Sequence, residues 1–130
     1  MNKEEKLKIL SEEELRVTQH GGTETPFQNE YWNHKEKGTY NCKVCGAPLF
    51  SSDTKLDSNE GPMGLRGWPA FDQALPGTVE YKEDTTLGMH RVEAVCKNCG
   101  AHLGHIFDDD TKTGKHLCMN SCSLDFEKGE

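Results

Sequence analysis

The chain has 130 residues, an apolar fraction of only 33% and a formal net charge of -7. This acidic, solvated composition argues against a nucleic-acid reader, which needs a basic patch, and no apolar run is long enough to span a bilayer. One domain over residues 1–130 is the simplest partition, with 1–9 as a flexible N-terminus.

The opening MNKEEKLKIL lacks the apolar core of a signal peptide, so a reducing cytoplasmic location is expected, where thiols and thiolate-bound metal persist. Ser11 and Glu14 have capping-box spacing, and Leu10 and Leu15 flank them as a hydrophobic staple, which predicts a helix that Gly21-Gly22 stops. From Gly38 onward Gly, Pro and Asp punctuate short β-leaning runs. These are Thr39–Lys43, Thr78–Lys82, Leu87–Val95, His102–Phe107 and Lys115–Phe126, which together predict a small antiparallel β domain. Leu56–Arg66 has turn chemistry throughout and should be an exposed loop leading into Gly67-Trp68-Pro69.

Four of the six cysteines form two Cys-x-x-Cys pairs, Cys42/Cys45 and Cys96/Cys99, each followed by a glycine, Gly46 or Gly100. Each pair offers two thiolates from one turn, and two turns complete the tetrahedral sulfur set that zinc prefers. The glycine lets the backbone turn tightly beneath the metal. The long separation between the pairs costs only about 1 kcal/mol in extra loop closure, against the order of 10 kcal/mol that structural zinc supplies. Two disulfides, or two redox-active dithiols, are the alternative uses of the same cysteines.

The remaining two cysteines, Cys118 and Cys122, lie in the last predicted strand. Alternation along an extended chain puts His116, Cys118 and Asn120 on one face and Leu117 and Met119 on the other. A thiol flanked by an imidazole and an amide suits nucleophilic use, because nearby positive charge favours the thiolate; a core cysteine beside an ordinary surface histidine is the plainer reading. Upstream, His102 and His105 are three apart, which a regular strand would send to opposite faces, but Gly104 can host a bulge that re-aims one of them. Asp108–Gly114 reads as a turn folding the His105 strand back against the Cys118 strand. Its three aspartates read as a solvated turn without a catalytic role.

The runs GTETPFQNEYW, GTYNCKVCGAPLF, GWPAF, RVEAVCKNCGAHLGHIFDDD and CMNSCSLDF follow the order and wording of the methionine sulfoxide reductase B family, which this chain resembles from about Leu10 to about Phe126. The resemblance implies a mainly β fold of two antiparallel sheets with short N-terminal helices, shared with zinc-bearing nucleotide-exchange proteins. It implies structural zinc on Cys42, Cys45, Cys96 and Cys99, with no organic cofactor. It also implies reduction of methionine-R-sulfoxide in oxidised proteins or peptides; composition adds the expectation of no nucleic-acid or membrane partner, and a monomer is expected.

In that resemblance Cys118 matches the nucleophile, His102, His105 and Asn120 match residues around the sulfoxide oxygen, and Trp68 matches the aromatic that contacts the substrate methyl. Chemistry fits these roles: sulfoxide sulfur becomes a good electrophile once its oxygen is protonated, so the site needs an acid near oxygen and a thiolate near sulfur. His105 is the preferred donor, with His102 assisting, and attack leaves Cys118 as a sulfenic acid.

Four positions depart from the family pattern. His116 occupies a substrate-contacting position where many members have Arg, and its support for a thiolate should fade as pH rises. Arg66, behind an apparent insertion over Asn59–Arg66, stands where the resolving cysteine is common. Cys122 stands where Ala is usual. Leu117 replaces an aromatic. In continuous extended chain the Cα atoms of Cys118 and Cys122 would be about 13 Å apart, beyond the roughly 7 Å reach of a disulfide. An external reductant, thioredoxin, glutathione or glutaredoxin, is therefore expected.

Overall fold

The computed structural model describes residues 3–20, 22–23, 30–32, 34–56, 67–85, 91–108 and 113–129. Gly21, most of the expected loop before Gly67 with Arg66, the start of the Leu87–Val95 run, and the Asp109–Lys112 part of the turn lie outside the described residues.

Two helices, α1 (Lys3–Ile9) and α2 (Glu12–His20), precede eight strands: β1 (Gly38–Cys42), β2 (Pro48–Ser51), β3 (Ala70–Phe71), β4 (Val79–Asp84), β5 (Arg91–Cys96), β6 (His102–Asp108), β7 (Lys115–Met119) and β8 (Leu124–Lys128). They form a three-stranded sheet in the order β2-β1-β8 and a five-stranded sheet in the order β3-β7-β6-β5-β4, with antiparallel pairing throughout. The fold is therefore mainly β, as expected. None of the described helices is long and apolar enough to cross a membrane.

The helix start follows from its sequence. The Ser11 backbone N–H donates to Glu14 Oε1 at 2.8 Å, and the Glu14 N–H donates to Ser11 Oγ at 3.1 Å, which satisfies two groups that a helix end leaves without partners. Residues 3–9, expected to be flexible, are drawn as helix α1, whose Leu7 packs against the core. The buried Val17 and Thr18 mark the inward side of α2, which packs on β6 and on the turn before β8.

Apolar side chains from both sheets share one core, including Tyr40, Leu49 and Phe50 on one side and Ala94, Leu103 and Leu117 on the other. Phe71 joins it, stacked on Phe50 at 4.4 Å between centroids and edge-on to Tyr40 at 5.2 Å. Removing each such side chain from water stabilises the fold by about 1.5–3 kcal/mol.

The expected run Lys115–Phe126 is not one strand. It breaks after Met119 into a 3-10 turn over Ser121–Ser123 and resumes as β8 in the other sheet. Polar side chains capture the backbone here. Ser121 Oγ accepts from the Tyr31 N–H (2.9 Å), Ser123 Oγ donates to the His102 carbonyl (2.7 Å), and the Ser123 N–H donates to the Asn120 carbonyl (3.0 Å). Such bonds offer the chain an alternative to a ladder. The fully extended separation between Cys118 and Cys122 therefore does not apply. Strands β2 and β3 were not expected either: β2 pairs with β1 across the first cysteine turn, and two-residue β3 pairs with β7 and makes an isolated bridge through Phe71 to Lys55.

Candidate active site

The two cysteine turns are near copies. In the first, Gly46 N–H donates to the Cys42 carbonyl (2.8 Å) and Cys42 N–H to the Ala47 carbonyl (2.8 Å); in the second, Gly100 N–H donates to the Cys96 carbonyl (2.7 Å) and Cys96 N–H to the Ala101 carbonyl (2.9 Å). Both glycines have positive φ, 81° and 78°, a conformation that L side chains rarely adopt. One turn joins β1 to β2 and the other joins β5 to β6, so the cluster ties the two sheets together.

The four sulfurs lie within 4.8 Å of one another, with Cys42 to Cys99 and Cys45 to Cys96 each at 3.6 Å. Four thiolates at the usual zinc–sulfur distance have edges of about 3.8 Å, whereas a disulfide needs about 2 Å. No disulfide joins any of the six cysteines. The crowded sulfurs share protons unequally. Hydrogen bonds from Cys42 and Cys99 hold the Cys96 thiol below its usual range, while the bond to Cys96 pushes Cys42 up. The donor set fits a divalent cation that takes all four as thiolates.

The second constellation lies on the five-stranded sheet. Antiparallel register places Ala70, Cys118, His105 and Glu93 in one row across β3, β7, β6 and β5, through the pairs Ala70↔Cys118, Cys118↔His105 and His105↔Glu93. Directly opposed residues share a face, so the imidazole and thiol meet as the hairpin reading expected.

The bulge is also present. The β5–β6 register shifts between Ala94, opposite Gly104, and Val95, opposite His102. The His102 and His105 rings consequently meet edge-to-face, with centroids 5.4 Å apart and an interplanar angle of 66°. Gly104 is required by space. A Cβ there would fall on the Cys118 carbonyl oxygen and stand 2.8 Å from Met119 Cα.

Cys118, His105, Asn120 and Trp68 line one cleft, together with Arg91 and Phe107 among others; it encloses about 400 Å³, counting volume open to solvent. Cys118 is half-buried, which leaves its thiol open to the cleft, while His105 and Asn120 are buried. Trp68 reaches the cleft because its neighbours are fixed: the Pro69 carbonyl accepts from the Met119 N–H at 2.8 Å, and Ala70 pairs with Cys118. Gly67 enters this turn at φ 95°. The Asn120 side chain donates through Nδ2 to the Leu103 carbonyl at 3.1 Å, beside its own N–H at 2.8 Å, which pins the bulge.

His102 and His116 do not line the cleft. His102 is buried behind His105, its Nδ1 2.5 Å from Glu93 Oε2. His116 is only 1% exposed and pairs with Phe107. The substrate contact expected of His116 from sequence is not supported by this burial, because its ring is covered and outside the cleft lining. Leu117 belongs to the core, on the opposite face of β7 from Cys118, so its replacement of an aromatic does not alter this cleft.

Sequence reasoning missed Arg91, Phe107 and Glu93. Their signal was the alternation of β5 and β6: Arg91 and Glu93 are two apart, as are His105 and Phe107. Reading it required knowing that β5 pairs with β6.

A family model described as the SelR domain matches residues 10–128. The chain is 49% identical over 129 residues to a protein named methionine-R-sulfoxide reductase B3, mitochondrial, from Mus musculus, covering 91% of this chain and 49% of that one. It thus spans about half the length of this relative. It is 46% identical over 131 residues to a peptide methionine sulfoxide reductase MsrB from Methanosarcina barkeri (99% of this chain, 88% of that one). Identity to the protein of the same name from Variovorax paradoxus is 52% over 116 residues (88% and 81%).

Proposed function

The chain belongs to the methionine sulfoxide reductase B family, and from that premise we propose that its Cys118 cleft reduces methionine-R-sulfoxide, in oxidised proteins or peptides, to methionine. The observation that carries the assignment is the row Glu93–His105–Cys118–Ala70 with Trp68 beside it, because it puts an acid, a nucleophile and an apolar wall around one small space. The activity is that of a peptide-methionine (R)-S-oxide reductase.

The sulfoxide methyl lies against the Trp68 indole, which offers apolar area with one polar edge. Its oxygen faces His105, with Asn120 at the polar end. The Cys118 thiolate donates an electron pair to the sulfoxide sulfur while His105 delivers a proton to the oxygen. The sulfur–oxygen bond breaks as the hydroxyl group passes to the Cys118 sulfur, the transient sulfur–sulfur bond breaks with its electron pair kept by methionine, and the products are methionine, reduced by two electrons, and Cys118 oxidised to a sulfenic acid. Chirality at sulfur is read by which substituent fits the indole and which fits the imidazole.

Recycling needs two electrons and two protons from a thiol reductant, which releases the sulfenic oxygen as water. Among the described residues Cys118 is the only cysteine lining the cleft, which supports an external thioredoxin, glutathione or glutaredoxin over internal resolution. Zinc, held by Cys42, Cys45, Cys96 and Cys99, supplies a structural clamp between the sheets. A reducing compartment such as the cytoplasm would preserve both the thiolates of the metal site and the Cys118 thiol.

The test uses separate R- and S-methionine-sulfoxide peptides with dithiothreitol, beside Cys118→Ser. R-selective reduction lost in the variant is expected. A folded, zinc-loaded wild type that reduces neither epimer would instead make the protein a non-catalytic zinc module.

A further inference from the structure

We propose that Glu93 is a positioning residue for the proton donor, acting on His105 through His102. This rests on the reductase reading above.

Glu93 stands directly opposite His105 in the β5–β6 ladder, yet its carboxylate contacts the other imidazole, His102, through Nδ1 at 2.5 Å. The contact is sheltered, with side-chain exposures of 6% for His102 and 25% for Glu93. His102 Nε2 is buried with no hydrogen-bond partner among the described residues. The carboxylate therefore fixes the tautomer, because Nδ1 must carry the hydrogen that Glu93 accepts. The backbone of His102 is held as firmly, its carbonyl accepting from Ser123 Oγ at 2.7 Å. Since His102 does not line the cleft, it acts on substrate through the edge-to-face contact with His105.

Two adjacent imidazoles disfavour each other's protonation, and a carboxylate against one of them offsets that repulsion. The other titratable or charged groups near the pair are Arg91 of β5 and Cys118 of β7, which line the cleft with His105, and His116, two residues before Cys118 on β7; Cys122 stands on the turn before β8. The buried α2 residues Val17 and Thr18 carry no charge. Arg91 opposes a proton on the pair and a Cys118 thiolate favours one, which leaves Glu93 as the fixed anion. A fixed anion favours the protonated form of a nearby imidazole, so neutralising Glu93 is expected to show where the donor loses its proton.

The experiment is the pH profile of single-turnover reduction of an R-methionine-sulfoxide peptide by wild type, Glu93→Gln, Glu93→Asp and the exposed-site control Glu80→Gln. Glu93→Gln should shift the alkaline limb down by about one pH unit, which lowers the rate above the limb about tenfold, and should converge on wild type at acid pH. Glu93→Asp should restore most of the limb, and Glu80→Gln should leave it in place. Zinc content and R-selectivity should be those of wild type in every variant.

An alkaline limb unmoved in Glu93→Gln, or a loss uniform across pH that Asp does not rescue, would overturn the proposal while leaving the reductase reading intact. If Glu93→Gln does not fold, Glu93→Asp decides: a limb intermediate between wild type and a downward shift upholds the role, and a uniform loss ends it. Wild-type protein without R-selective activity would remove the reductase reading itself.

Discussion

Replacing Gly104 by Ala adds one methyl group where β6 leaves no room for it against the β7 backbone. The new Cβ would fall on the Cys118 carbonyl oxygen, and Met119 Cα would stand at 2.8 Å, where ordinary contact begins at 3.4 Å. Neither atom belongs to a side chain that can rotate away, so β6 and β7 must part by more than half an ångström. Overpacking of this kind costs up to about 3 kcal/mol, or a melting temperature roughly 10 °C lower for a domain of this size. The same separation moves His105 away from Cys118, its directly paired neighbour, and misplacement on the order of 1 Å costs about 100-fold in rate. Thermal unfolding followed by circular dichroism reads the first effect. Single-turnover reduction of an R-sulfoxide peptide, measured well below the lowered midpoint, reads the second. A Gly104→Ala protein with wild-type melting and wild-type single-turnover rate would refute the argument that β7 approach demands glycine here.

Cys99→Ala, or removal of metal by a strong chelator, should unfold the protein at ambient temperature, because a loss of the order of 10 kcal/mol rivals the whole stability of a small domain; an apoprotein with an unchanged melting curve would show that the clamp is dispensable. Cys122→Ser should leave thioredoxin-supported turnover within about twofold of wild type, since Cys122 is half-buried outside the cleft lining and the change keeps the side chain's shape. Loss of turnover with single-turnover reduction spared would instead make Cys122 the resolving thiol. Ser11→Ala removes one half of the capping box and should cost about 1 kcal/mol, a fall of a few degrees in melting temperature that leaves R-selectivity unchanged. A melting temperature equal to wild type would mean that α2 docking, and not its cap, holds the helix.

The parts of this protein legible in sequence are those governed by short spacing. Cys-x-x-Cys-Gly specifies a turn within five residues, the Ser11–Glu14 box within four, and strand alternation sets the face of Cys118 relative to Leu117. Even the His102–His105 bulge was foreseeable, because two histidines three apart with glycine between them are a local contradiction that only a register shift resolves. Tertiary pairing decided the rest. Glu93 and Arg91 acquire meaning only once β5 lies beside β6. Trp68 meets Cys118 because two residues of β3 add to the edge of β7, a strand too short to show periodicity. The last predicted strand breaks because Ser121 and Ser123 find partners at Tyr31 and His102, roughly ninety and twenty residues away. Local propensity can rank conformations of a segment, but a hydrogen bond or ladder between distant segments exists only after the chain has brought them together, and the row of Glu93, His105 and Cys118 is built from such contacts.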